Sequence, residues 1–217
     1  SIDPHTHVYT TTGVLDSKFG FAIETGQAGI AVRMALNSPN IKLTGLHFHL
    51  GSPIFDVEPY KQAIDTVLRW ASPFRDEGLH LQNLSPGGGF AIAYTQDQSP
   101  PAVGDYAEAI VSTMLATCKA IDLETPKLVI EPGRSIVGPA GVALYTSGSI
   151  KDIPGVRKYV SVDGGMGDNI RPALYGATYE PVVANKLDQE PSENVTLAGK
   201  YCESGDVLVR DVKLPPV

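Results

Sequence analysis

The sequence predicts an α/β region followed by a β region. Strand-like and helix-like segments alternate through the first two thirds of the chain, a rhythm that calls for parallel strands with helical crossovers. After Gly141 short strand-like runs follow one another with little helix between them. Polar, glycine-rich residues come directly after the apolar runs of the first region. In a parallel α/β sheet or barrel that position is the carboxyl edge, where ligands bind.

Taken in order, the spacing predicts a helix over 26–37, stopped by Pro39, and a strand over 42–50. Residues 56–71 place Val57, Tyr60, Ile64, Val67, Leu68 and Ala71 at helical spacing. A strand over 79–84 runs into a glycine loop. Residues 105–121 form a second amphipathic helix whose inner face carries Tyr106, Ala109, Ile110, Met114, Thr117, Cys118 and Ile121. Asp105 with Glu108 three residues on reads as a capping box, with Asp105 as the cap. A strand over 127–131 follows. Beyond it, 142–144, 159–162, 181–184, 194–197 and 207–212 read as short antiparallel strands, with a polar loop over 187–193.

The chain has 217 residues, enough to bury a core. Its net charge of −7 and lack of any dense basic run exclude a nucleic-acid footprint. No apolar run approaches the ~18 residues of a membrane span, and the first residues, Ser1-Ile2-Asp3-Pro4-His5, do not read as a signal peptide. Two cysteines, Cys118 and Cys202, differ too much in setting to make a disulfide framework, so a reducing, cytoplasmic location is expected.

His47 and His49 alternate with Leu46, Phe48 and Leu50, so on a strand the two imidazoles share one face. Such a pair can bind metal, but a site needs further ligands, and the chain offers only His5, His7 and His80 besides. A structural histidine pair is the plainer reading. The preferred one is a flat imidazole packed on an aromatic ring, with Gly51-Ser52 beyond it to meet a phosphate. Gly87-Gly88-Gly89 lets backbone N–H groups approach an anion closely. Glu131 ends the apolar run Leu128-Val129-Ile130. It either pairs with Arg134 at the surface, which stabilises little, or holds the protonated nitrogen of a pyridine ring. Arg171 and Tyr175 either share a bound carboxylate or sit in an ordinary solvated loop. Cys118 reads as a core thiol and Cys202, among Lys200, Tyr201, Glu203 and Asp206, as a functional one.

Four blocks in order, His47-Phe48-His49-Leu50-Gly51-Ser52, Gly87-Gly88-Gly89-Phe90, Glu131-Pro132-Gly133-Arg134 and Cys202-Glu203-Ser204-Gly205-Asp206, carry a resemblance. They resemble those of the alanine-racemase-like, fold type III pyridoxal-phosphate-dependent decarboxylases, and within them the diaminopimelate decarboxylases. The likeness extends from His5-Thr6-His7 and Asp16-Ser17-Lys18-Phe19-Gly20 to the end of the chain. It implies a partial β/α (TIM-type) barrel with the later strands only, over 1–140, followed by part of an antiparallel β-domain, over 141–217.

The resemblance also implies site roles. His49 would stack on the pyridoxal 5'-phosphate ring, with Ser52, Gly87, Gly88 and Gly89 at its phosphate and Glu131 at its nitrogen. Arg134, Arg171, Tyr175 and Glu203 would bind substrate, Arg171 and Tyr175 at a distal carboxylate. Cys202 would donate a proton in the partner subunit's site of a homodimer. The implied reaction is decarboxylation of meso-diaminopimelate to L-lysine. A decarboxylase of another basic amino acid or of a carboxylated polyamine, a non-catalytic relative and a metal hydrolase are the alternatives. None of the lysines here falls at the family's cofactor-linking position, and a family tyrosine expected after the cysteine block lies past Val217. On that ground the chain is expected to be an internal fragment, inactive alone.

Overall fold

The computed structural model describes residues 17–217. It divides into two compact units, one of Ser1–Ile92 and Ser99–Ala140, the other of Ala93–Gln98 and Gly141–Val217. His5, Thr6, His7 and Asp16 lie outside the described residues.

The first unit holds a parallel three-stranded sheet in the order β1 (Gly45–His47), β2 (Asn83–Ser85), β3 (Lys127–Leu128). Parallel neighbours need long crossovers, supplied by α2 (Glu58–Ala71) and α3 (Val103–Ala120); α1 (Gln27–Leu36) precedes β1. The strands are much shorter than the apolar runs suggested, because the ladder breaks where the chain bends into loops. Backbone pairing nevertheless continues beyond them, from Phe48 N–H to Ser85 O at 2.9 Å and from Val129 N–H to Leu84 O at 3.0 Å.

Helix α2 buries Tyr60, Ile64, Leu68 and Ala71, as its spacing predicted, and Ala63 besides; Val57 is its N-cap and, like Val67, is only partly buried against the same core. Glu58 N–H donates to the Asp56 carboxylate at 3.0 Å, which tethers the first turn. Helix α3 buries Tyr106, Ala109, Ile110, Met114, Thr117 and Cys118, and Ile121 packs against the same core. Its start differs from expectation. Ala102 is the N-cap and Asp105 lies at N3, with its carboxylate accepting the Ala102 N–H at 2.9 Å. Asp105 thus reaches back to the cap instead of being the cap, and the helix begins earlier than 105. Tyr60, Phe90 and Tyr106 make an aromatic cluster, with ring centroids 5.1 to 5.8 Å apart. Short α4 (Arg134–Val137) follows β3.

The second unit is a four-stranded sheet, β4 (Ser147–Ile153), β5 (Arg157–Val162), β6 (Glu193–Ala198) and β7 (Val207–Leu214), in that order. The expected antiparallel arrangement is corrected here. The β4–β5 and β6–β7 pairs are antiparallel, but β5–β6 is parallel, since a long excursion separates them in sequence. That excursion includes α5 (Arg171–Tyr175), which the sequence reading missed. The runs at 142–144 and 181–184 are not strands, and Val142 and Leu144 are almost fully exposed. Strand β4 was missed instead, because its polar sequence Ser147-Gly148-Ser149 lacks alternation and it is exposed nearly throughout. Val160, Val195 and Leu214 form the core of this unit.

Among the described residues no helix is long and apolar enough to cross a membrane.

Candidate functional site

The glycine loop after β2 is pinned by its carbonyls. Gly87 O accepts Glu131 N–H at 3.0 Å, and Gly89 O accepts Ile54 N–H at 2.8 Å. Gly88 O accepts the Tyr60 hydroxyl at 2.7 Å from inside the core. Burial of that phenol pushes its pKa well up, so it remains a donor. With the carbonyls held by protein, the amide edge is the part of the loop that suits an anion. Two of its N–H groups make only long contacts, Gly87 to Ser85 Oγ at 3.3 Å and Gly88 to His49 Nδ1 at 3.4 Å.

Space fixes the residue type as firmly as hydrogen bonding does. A Cβ on Gly87 would come within 2.6 Å of His49 Nδ1, and its φ of +75° suits glycine. A Cβ on Gly88 would overlap the Glu131 carbonyl oxygen. On Gly89 it would overlap the Gly51 carbonyl oxygen. Ser52 follows Gly51 and so lies on the segment that Gly89 touches.

His49, Ser52, Gly87, Gly88, Gly89 and Glu131 are therefore brought to one edge of the parallel sheet. His49 has a pKa below the usual histidine value, first through burial and then through the neighbouring His47, with Glu131 opposing. Burial thus favours the neutral imidazole, whose Nδ1 accepts Gly88 N–H. Glu131 stays accessible, and Ser85 Oγ and His47 Nδ1 each lie 3.4 Å from its Oε1. His47 also meets Ser85 Oγ at 3.0 Å. Arg134 opens α4 directly after the Pro132-Gly133 turn.

These residues fit pyridoxal phosphate. A loop with no room for side chains and carbonyls turned into the protein suits a phosphate. A neutral imidazole suits stacking on the ring, and an accessible carboxylate suits its ring nitrogen.

In the second unit Arg171 sits among aromatic rings. Its guanidinium carbon lies 5.5 Å from the centroids of both Tyr94 and Tyr175, and its Nε–H donates to the Tyr179 hydroxyl at 3.0 Å. The structure thus places Arg171 beside Tyr175, and adds Tyr94 and Tyr179. Cys202 is exposed and its thiol is free. Glu203 turns back on its own loop, accepting Gly205 N–H at 3.3 Å. Cys118, by contrast, is buried in the first unit, and burial pushes its thiol pKa up.

Sequence reasoning missed Ser85, which links His47 to Glu131, and Tyr60, which fixes the glycine loop from below. It also missed the role of Asp206, which appears only as the last letter of the cysteine block. A hydroxyl on the residue ending β2 and a tyrosine on the inner face of α2 were visible, but nothing in their spacing showed what they would touch.

A family model described as "Pyridoxal-dependent decarboxylase, pyridoxal binding domain" matches residues 1–138. Diaminopimelate decarboxylase of Bacillus subtilis is 46% identical over 217 residues, covering 100% of this chain and 49% of the relative. The crystal structure of the M. jannaschii diaminopimelate decarboxylase with L-lysine superposes with a TM-score of 0.85 at 37% identity, covering 100% of this chain and 49% of that one. A lysine/ornithine decarboxylase of Vibrio vulnificus complexed with cadaverine gives a TM-score of 0.78 at 26% identity, covering 94% of this chain and 52% of that one. The chain spans about half the length of the curated relatives it matches. With a decarboxylase domain model matched over more than half of its residues, the chain belongs to the pyridoxal-dependent decarboxylase family.

Proposed function

We propose that the chain works as part of a diaminopimelate decarboxylase, a protein about twice its length that converts meso-diaminopimelate to L-lysine. The observation that carries this reading is the glycine loop, held by its carbonyls and closed to any Cβ, beside His49 and Glu131. The names of the relatives support the substrate. In this reading residues 1–140 are the later strands and helices of a β/α barrel, and 141–217 are part of the β-domain. The active protein is a cytoplasmic homodimer.

Bound at this edge, the cofactor ring supplies an electron sink for the pair left when carbon dioxide departs. Glu131 keeps the ring nitrogen protonated. His49 packs flat on the ring, and Ser52 with the amides of Gly87, Gly88 and Gly89 holds the phosphate. Arg134 binds substrate. Arg171 and Tyr175 take the distal carboxylate, which Arg can grip through paired donors. Glu203 binds the distal amino group, and Cys202 gives a proton to the carbon that has lost carbon dioxide, in the site of the partner subunit.

The test is carbon dioxide release by the whole protein from meso-diaminopimelate, set against L-lysine and L-ornithine. Preference for meso-diaminopimelate is expected. Equal or faster release from L-ornithine would favour a relative that acts on substrates without a second carboxylate. Arg171→Ala should raise KM more than it lowers kcat, since the distal carboxylate does not change during reaction. The expected cost is about 1.5–3 kcal/mol for a charge-assisted contact. An unchanged KM with a large fall in kcat would place Arg171 at the reacting carbon instead.

A further inference from the structure

Asp206 is a buried carboxylate, 3% exposed, in a loop whose other polar residues face solvent. Among the described residues it makes no ion pair, and its charge is answered by backbone N–H groups. Oδ1 accepts Met166 N–H at 2.6 Å, and Oδ2 accepts Tyr201 N–H at 2.8 Å. Its own main chain closes the loop, with Gly199 N–H donating to Asp206 O at 2.9 Å and Asp206 N–H donating to Glu203 O at 3.0 Å.

The two amides that share this carboxylate come from segments far apart in sequence, 163–168 and 199–206. Other contacts join the same segments. Lys200 N–H donates to Gly164 O at 3.0 Å, and the Tyr201 ring occupies the space that a Cβ on Gly167 would need. A Cβ on Gly165 would lie 2.6 Å from Asp206 Oδ2, and one on Gly199 would overlap the same carboxylate. The glycines of both segments thus leave room for one carboxylate to enter between them.

We propose that Asp206 is the positioning residue for Cys202 and Glu203, coupling their loop to the 163–168 segment so that the two behave as one unit. It reaches no reacting atom; it acts through the backbone on either side of it. The proposal rests on the reading of Cys202 and Glu203 as site residues. Asparagine cannot replace it, because both oxygens accept and an amide offers only one acceptor. Whichever way the amide faces, an NH2 would oppose an N–H.

The test is amide hydrogen exchange and Cys202 alkylation on the full chain, wild type against Asp206→Asn. The N–H that faces the new NH2 loses its charged acceptor and should exchange about tenfold faster, and through the coupling the other of Met166 and Tyr201 should accelerate with it. The alkylation rate of Cys202 should change at least about twofold, while buried Cys118 and the β5 amide of Val160 stay protected. Gly165→Ala gives the reciprocal reading, a perturbation placed in one segment and felt at Tyr201 in the other. Acceleration confined to the segment that carries the substitution overturns the coupling. An unchanged Cys202 rate with both segments loosened overturns the positioning role. Loss of Val160 protection in both variants overturns it too, by making Asp206 a scaffold residue. None of these readouts needs cofactor, substrate or turnover, so failure of the decarboxylase reading would leave them standing.

Discussion

The two units build their candidate sites in opposite ways. In the first, the glycine loop rests on a buried core. Tyr60 and Ile54 are fully buried and bind its carbonyls, and no side chain larger than hydrogen fits at Gly88 or Gly89. In the second, α5 has no buried residue, Arg171 is held by rings instead of by a packed interior, and Cys202 and Glu203 are exposed. A phosphate needs backbone donors that do not move, and a loop fixed from beneath supplies them. The groups proposed to meet substrate are carried on surface loops that a few polar contacts hold in place. The comparison teaches where each site is fragile: the first to added volume or to the loss of a buried donor, the second at the buried carboxylate of Asp206.

Adding one methyl group to a glycine in each unit is the severest way to break that contrast. Gly88→Ala should destabilise the chain by about 3 kcal/mol or more, because the new Cβ meets backbone at Glu131 and not a side chain that can swing away. Gly176→Ala, just after α5, has nothing within 4 Å of its Cβ. Its cost should be only the left-handed backbone penalty at φ +61°, about 1–2 kcal/mol. Urea unfolding of the two variants checks the order. Equal costs would mean that the glycine loop yields as easily as an exposed helix end.

Removing one tyrosine hydroxyl from each unit sharpens the comparison at smaller scale. Tyr60→Phe leaves the Gly88 carbonyl without its donor in a buried place, at a cost of about 1–3 kcal/mol. Tyr145 donates to the exposed Asp168 carboxylate at 2.5 Å, and burial together with that contact pushes its pKa up to about 12. Water replaces the lost partner there, so Tyr145→Phe should cost no more than about 1 kcal/mol. It should still leave a local mark. The Tyr145 hydroxyl is the first cause of the lowered Asp168 pKa, so Asp168 should titrate closer to the ordinary aspartate value in the variant. Carbonyl-carbon NMR titration reads that directly, and an unmoved Asp168 would assign its shift to the Gly165 amide.

How far the sequence reached follows the same division. Helices α2 and α3 were legible because their apolar positions recur at helical spacing and each buries that face. The glycine loop was legible because three glycines in a row follow one strand, where no Cβ fits; Glu131 was visible as a carboxylate ending the next apolar run, and the resemblance, not its spacing, gave it a role. The second unit was read less well. Polar β4 gave no alternation to detect, while Val142 and Leu144 gave a false strand because an apolar run need not be buried. The parallel β5–β6 pair was invisible, since strand direction depends on where the intervening 163–192 excursion returns. Asp206 was seen only as a neighbour of Cys202. Its partners are amides far away in the sequence, and an amide carries no residue signature.

The smallest effect concerns protons at His49. Burial is the largest cause of its lowered pKa, His47 adds to it, and Glu131 opposes it. The folded ring therefore loses its proton below 6.5, the ordinary value, while an unfolded histidine holds it up to about that pH. Between the two values the unfolded state binds more protons, so stability rises with pH. The contribution is fully present above ~6.5 and is lost as pH falls through the folded value. Glu131→Gln removes an opposing influence and should lower the pKa of His49 further. His47→Ala should raise it, but not to the ordinary value, because burial remains. Histidine Cε1–H NMR titrations of the three proteins measure this without cofactor. A pKa for His49 at or above 6.5 in the wild type would mean that the ring is solvated, and the neutral imidazole assigned to this edge of the sheet would be wrong.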